Sequence, residues 1–487
     1  MVISMKSFNQ KIEKIKNDND SSADIKIREY QFMFKKVACI YLESVSSGSD
    51  INDFILKSIG KDVQNPFFSF FNLQKKIRNT IPNCNIVEIK EKDIFTFIAY
   101  GFTVIITSDS SKILALETRK DLSRGITEST SEGIIRGPKD SFTENPSTNQ
   151  GLIRKRIRDE NLIIKESTVG RRTKTKISLI YIKNIADMKK VNEISQKLSE
   201  IDVDGILDSG NIREFLFKDE HSVFPKVIST ERPDLVCSSL LNGKIVLLVE
   251  NTPYALIIPG LFIDFFKNPE DYYQDPNNVF FTRILRFISF FITVMTPALY
   301  ISITTFDIEI LPSTLLYSLY EQRTAVPFPT SFEILLLLIV FEILRECDIR
   351  IPSAMGTSMS IVGGLVLGDA AVSAGIVSPI TIIIVAITSI SGLLFSDIDM
   401  INAVRWWRII FILFSTFLGM IGFFAALTLL VFELSSLKVM DIDYLTPISP
   451  LNKVGIKDTI FRPSKNKDKN RPSYLSDKNQ TKLGGKE

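Results

Sequence analysis

Histidine is almost absent from this chain: His221 is the single one among 487 residues. Cysteine is scarce as well, and Cys39, Cys84, Cys237 and Cys347 lie far apart with no C-x-x-C pair. A zinc site needs closely spaced thiolates or imidazoles. No metal ligands are therefore expected, and the cysteines read as small apolar side chains kept reduced on the cytosolic side. Neither a P-loop nor a G-x-S-x-G elbow occurs, which takes away a phosphate cradle and a nucleophile turn. No catalytic residue, no cofactor and no enzymatic activity is expected. The formal net charge of +3 is close to balance, and no basic block interleaved with aromatics is present, so a nucleic-acid partner has no support. The opening MVISMKSFNQKIEKIKNDNDSSADIK lacks the apolar run of about 7 to 15 residues of a secretory signal. The N-terminal half is expected to stay in the cytoplasm.

What is present in quantity is apolar side chain, 45% of the residues, and it is unevenly placed. Charges are dense from Met1 to Asp275 and again after Leu437, and almost vanish over long stretches between Phe287 and Phe432. A membrane span takes about 20 predominantly apolar residues. Phe287 to Phe306 supplies one, entered by Arg283 and Arg286 and kinked by Pro297. Ile409 to Phe432 supplies another, entered by Arg405, Trp406, Trp407 and Arg408, where the aromatic pair suits an interfacial anchor. Val326 to Leu344 spans only if Glu333 and Glu342 face protein or water. PITIIIVAITSISGLLF reads as a span, and GTSMSIVGGLVLGDAAVSAG, rich in small residues, as a full span or a re-entrant segment. The tail from Lys438 holds eleven Lys/Arg against six Asp/Glu, which favours a cytoplasmic end. With both ends cytoplasmic the crossings are even, and four is expected, with five as the alternative.

The expected fold class is a two-part α+β or α/β cytoplasmic region followed by an α-helical multi-span membrane domain. Residues 1–30 read as disordered or a solvated helix. Residues 31–120 read as a first α/β subdomain, with VACIYLES a strand, INDFILKSI a helix, and IFTFIAYGFTVIIT and KILALET a β-hairpin about SDSSK. Residues 121–150 form a long connecting loop of Ser, Thr, Asn, Gly and Pro, a composition and length that point to an interface or a function. A second α/β subdomain, 151–280, follows from the basic helix GLIRKRIRDENL, the strand KTKISLIYI, the amphipathic helix NIADMKKVNEISQKLSEI and the strand GKIVLLVE. The membrane domain covers 281–437 and the basic tail 438–487.

Four stretches resemble a known family when read together. They are IIRGPKDSFTENPSTNQGLIRKRIRDENLIIKESTVGRRTKTKISLIYIKNIAD, RPDLVCSSLLNGKIVLLVENTPYALIIPGLFIDFF, PFPTSFEILLLLIVFEILRECDIRIP and SIVGGLVLGDAAVSAGIVSPITIIIVAITSIS. They look like the A subunit of GerA-type spore germinant receptors, over about residues 90 to 465. The resemblance implies a protein of the endospore inner membrane that assembles with a multi-span B subunit and a lipoprotein C subunit. It implies nutrient sensing coupled to cation release, with the A subunit forming a homo-oligomer and providing the ion path. A non-conducting scaffold and, further off, a secondary transporter are the alternative functions.

Within this frame, Asp369 stands in a long run otherwise free of charge. A ring of such carboxylates from several subunits attracts cations, while a loop in the headgroup zone explains the residue equally. Glu333 and Glu342 are nine residues apart and fall on opposite faces of one helix. Glu342 sits three residues before Arg345, as a local ion pair would have it. Glu333, deeper in its helix, is the better ion-path candidate. Gly137, Pro138, Phe142, Glu144 and Asn145 belong to the loop most recognisable in the resemblance and are expected at a subunit interface. Arg154, Arg156, Arg171 and Arg172 are candidates for an anionic ligand or membrane-lipid headgroups, against a plainer reading as solvated faces and inter-subunit ion pairs.

Overall fold

The computed structural model describes residues 8–13, 15, 22–32, 35–57, 85–110, 112–121, 132–134, 136–218, 222–350, 368–464, 466, 468–476 and 479–482. Contacts divide the chain into two compact units. One is drawn from Met1–Glu220, Val227–Pro259 and Asp468–Glu487, and the other from His221–Lys226 and Gly260–Lys467.

In the first unit the β-branched runs become strands because alternate side chains can be buried on one face. Strands β1 (Ile25–Phe32), β2 (Lys35–Leu42), β3 (Ile86–Ile89), β4 (Phe102–Thr107) and β5 (Ile113–Glu117) form a sheet in the order β1-β2-β4-β5-β3. Every pair in it is antiparallel. The hairpin expected about SDSSK is β4–β5, with Ile106 opposite Ile113. Its upstream flank IFTFIAY is not strand: Ile94–Ala99 is helix α1, burying Ile94 and Ile98 at helical spacing against the sheet. Residues 8–13 are helical too, with Phe8 and Ile12 in the same core. For the described residues of the first thirty, this and β1 replace the reading as disordered or solvated. A short apolar repeat among polar residues is enough to cover one sheet face.

The second sheet runs β6-β7-β9-β10-β8, from Leu162–Val169, Thr175–Ile182, Ile228–Thr230 (β8), Ile245–Val249 (β9) and Ala255–Ile258 (β10). It too is antiparallel throughout, so this region is α+β and the α/β alternative falls. Alternation of strand and helix in sequence predicts parallel crossovers, but here hairpins join β6 to β7 and β9 to β10 and the helices only cover the sheet. Those helices are α2 (Pro146–Arg156), α3 (Met188–Ser199), α4 (Ser209–Leu216) and α5 (Pro233–Leu241). One apolar cluster holds Leu42, Val45 and Ala99 from the first sheet's side with Leu152, Ile164, Ile180 and Val246 from the second. The two expected subdomains therefore share a core.

The second unit is helical: α6 (Pro276–Thr305), α7 (Ser313–Arg323), α8 (Thr330–Arg350), α9 (Pro379–Gly392) and α10 (Ile398–Ser436). Strands β11 (Lys438–Val439) and β12 (Ile442–Asp443) follow. Two of these helices, α6 with 30 residues and α10 with 39, are long and apolar enough to cross a membrane. Helix α9 has 14 residues, about 21 Å at 1.5 Å per residue against a hydrocarbon core of about 30 Å. By length it falls short of the two long helices. Helix α8 carries Glu333, Glu342, Arg345 and Glu346, and most of the Gly-rich segment expected to be re-entrant lies outside the described residues. Among the described residues, two of the four expected crossings have a helix of spanning length.

The outer face of α10 decides its surroundings. Phe417, Ile421 and Phe432 are 76%, 77% and 71% exposed, and contiguous apolar exposure of that kind suits lipid rather than water. Helix α10 is broken at Gly419, whose φ of 57° and ψ of −135° lie outside the helical region. A Cβ there would stand 2.7 Å from the Phe306 ring, so only glycine fits. The tail after α10 is not free: Tyr444 is fully buried and its hydroxyl donates to the Pro225 carbonyl at 2.7 Å. Within the first unit, residue 475 of the tail packs so closely on Gly243 that a Cβ would meet the Leu475 carbonyl oxygen at 2.9 Å.

Candidate functional site: buried charges of the helical unit

Glu333 lies in the first turn of α8 and is completely buried. Its Oε2 accepts hydrogen bonds from the Ser378 backbone N–H at 2.9 Å and the Thr381 hydroxyl at 3.1 Å. Ser378 is the N-cap of α9 and Pro379 its first residue, so the carboxylate sits at the positive end of a helix dipole. The other oxygen, Oε1, has no hydrogen-bond partner among the described residues. Ile301, Ile334, Leu337 and Val377 form the neighbouring apolar cluster. A buried carboxylate with one idle oxygen is costly in such a place, and an intrachain N-cap relieves only half of it.

Glu342 lies on the opposite face of α8, as the nine-residue spacing requires, and forms a separate cluster. Its Oε1 is 3.1 Å from Arg408 Nη2 and 3.3 Å from Arg405 Nε, and its Oε2 is 3.1 Å from Arg345 Nη2. The local pair with Arg345 was legible in the sequence. The two arginines of α10 were not, because they arrive through packing of helices sixty residues apart. These groups line a cavity of about 250 Å³ together with Thr293, Ser389 and several apolar side chains.

A third cluster stands at the entry to α6. Arg283 is fully buried, its Nε 3.0 Å from Asp271 and its Nη1 3.0 Å from Asp458, while Arg286 reaches Asp271 at 2.8 Å. Burial alone would raise the Asp458 carboxyl, but Lys267, Arg283 and the Tyr272 hydroxyl hold it below the ordinary aspartate value. Tyr272 itself is pushed up by burial and by Asp458. Asp271 and Asp458 escaped sequence reasoning, since nothing in a polar stretch marks which acid will meet a span's first arginine.

The remaining candidates disperse. Asp369 is exposed, and the described residues 368–373 around it are helical. In the loop, Phe142 is buried and Asn145 caps α2, its side chain accepting from the Ser147 and Thr148 backbone N–H groups, whereas Glu144 is exposed. Gly137 takes a φ of 141° and the Pro138 carbonyl accepts from Arg232 at 3.1 Å. Arg154 is closed to any ligand: it is 1% exposed and binds Asp24 through Nε at 2.8 Å and Nη2 at 3.0 Å. That corrects its reading as an anion contact, because its charge is already matched in a buried bidentate pair. Arg156 pairs with Asp140 at 2.6 Å. Arg171 and Arg172 are exposed and pair with Asp202 and Asp204. All four arginines pair within the chain rather than between subunits.

The chain thus joins an α+β unit to a helical unit that has two helices long and apolar enough to cross a membrane. The sequence matches the model of the family described as Bacillus/Clostridium GerA spore germination protein over residues 13–474, and the chain belongs to that family. Spore germination protein KA of Bacillus subtilis (strain 168) is 35% identical over 484 residues, covering 98% of this chain and 88% of that protein. Spore germination protein GerLA of Bacillus cereus is 32% identical over 477 residues, covering 96% of each. The crystal structure of the N-terminal domain of the A subunit of the Bacillus megaterium spore germinant receptor GerK3 aligns with a TM-score of 0.41 at 30% identity, covering 52% of this chain and 94% of that one.

Proposed function

We propose that this chain is the A subunit of a nutrient germinant receptor in the spore inner membrane. In this reading it assembles as a homo-oligomer with a multi-span B subunit and a lipoprotein C subunit, and couples nutrient sensing to cation release. Family membership supports the role in germination. The observation that carries the ion path is Glu333, a carboxylate without solvent exposure whose Oε1 has no hydrogen-bond partner among the described residues. A monovalent cation passing or pausing there would supply the missing contact. Glu342, tied to three arginines, is a poorer cation ligand, and Asp369 contributes only if an oligomer gathers several copies.

The test follows potassium efflux from dormant spores after nutrient addition, comparing the unaltered protein with Glu333→Gln and Asp369→Asn at matched protein levels. Slowed or abolished efflux with normal receptor assembly is expected for Glu333→Gln. Unchanged efflux in both variants would favour a non-conducting scaffold, a reading that draws on the hydrogen bonds from Ser378 and Thr381 as a purely structural cap.

A further inference from the structure

We propose that the cavity walled by Arg345, Arg405 and Arg408 binds the phosphate of an anionic membrane lipid. Three guanidinium groups and one carboxylate are the charged side chains among its lining residues. All three arginines converge on the same Glu342, so a single negative charge is shared by three positive ones. Each guanidinium has five N–H donors. The Nε atoms of Arg345 and Arg408 make no hydrogen bond among the described residues, Arg405 turns its Nε to Glu342 at 3.3 Å and keeps Nη donors for another acceptor, and the Arg408 side chain is only 7% exposed. Buried donors in a planar fork, left over after one carboxylate, are the arrangement that receives a phosphate bidentately.

The rest of the wall distinguishes a lipid from a free ion. Phe341, Leu344, Ile390 and Leu393 offer apolar surface beside the arginines, which suits glycerol and the start of an acyl chain and does nothing for inorganic phosphate. Depth agrees: Arg405 and Arg408 flank Trp406, 58% exposed, and an outward tryptophan among arginines near a span's start lies at headgroup level.

The full chain, purified in a zwitterionic detergent, is titrated with phosphatidylglycerol, phosphatidylcholine of the same acyl chains, and inorganic phosphate, and binding is read by native mass spectrometry. The expected result is phosphatidylglycerol bound about tenfold more tightly than phosphatidylcholine, a preference lost in Arg405→Gln/Arg408→Gln. Glu342→Gln keeps every arginine and removes the internal competitor, so it is expected to bind phosphatidylglycerol several-fold more tightly than the unaltered chain. It also supplies the answer should the double variant fail to fold. An arginine cluster that is only a structural ion-pair network predicts no such gain. No preference for phosphatidylglycerol, or equal binding by Glu342→Gln and the unaltered chain, would overturn the proposal. Tight binding of inorganic phosphate without lipid preference would overturn the lipid source and make a free anion the occupant.

Discussion

Replacing Arg154 by methionine leaves the Asp24 carboxylate buried and short of the two guanidinium hydrogen bonds that hold it, at 2.8 and 3.0 Å. Both side chains are 1% exposed, so neither solvent screening nor rotation into water softens the loss. Ser22 still donates to Asp24 at 2.6 Å and Ser44 at 3.3 Å, but neither brings a positive charge. Removing one member of such a pair costs about 3 to 5 kcal/mol. With a urea m-value of about 3 kcal/mol/M for a unit of this size, the midpoint should fall by about 1 to 1.7 M. Pulse proteolysis of the full chain in detergent, following fragments of the first unit across a urea series, measures that midpoint. The double variant Asp24→Leu/Arg154→Met removes both charges and should recover at least half of the loss, because an apolar pair of similar bulk needs no counter-charge. A fall of less than about 1 kcal/mol in the single variant, or simple additivity in the double, would refute the reasoning.

Two further outcomes are expected. Gly419→Ala places a Cβ 2.7 Å from the Phe306 ring at a φ of 57°, which should cost about 1 to 3 kcal/mol and lower the melting temperature in detergent by several degrees; an unchanged melt would mean that the break in α10 is not required. Burial raises the Glu132 carboxyl to about 7, against a lowering contribution from its Thr230 hydrogen bond. A carboxyl raised above its unfolded value of about 4.3 contributes stability that is full below that value and is lost as pH rises through about 7. The first unit should therefore weaken between pH 4.5 and 7, and Glu132→Gln should remove that part of the slope.

What local pattern controls was legible. β-Branched, apolar runs such as KTKISLIYI and the turn SDSSK carry enough local signal to become β7, buried on both faces, and the β4–β5 hairpin. The apolar runs of α6 and α10 declared themselves by length against the bilayer, and the four long motifs carried the family. The failures share a cause. IFTFIAY has the composition of a strand, yet Ile94 and Ile98 meet the sheet from a helix, because burial is settled by the partner surface and not by propensity. The helix of PITIIIVAITSISGLLF closes at Gly392, an end that hydrophobicity does not mark.

Charge was the least legible property. The sequence by itself determined that a polar region of mixed strands and helices is attached to membrane-length helices, and that Glu333 and Glu342 cannot share a site, since helix periodicity alone puts them on opposite faces; the antiparallel sheets then decided for α+β. Only the tertiary structure decided what each charge meets. It closed Arg154 onto Asp24, gathered Arg345, Arg405 and Arg408 on Glu342, and joined Arg283 to Asp271 and Asp458. The physical reason is that an ion pair is worth most when buried, and burial of one side chain by another far away in sequence has no local signature.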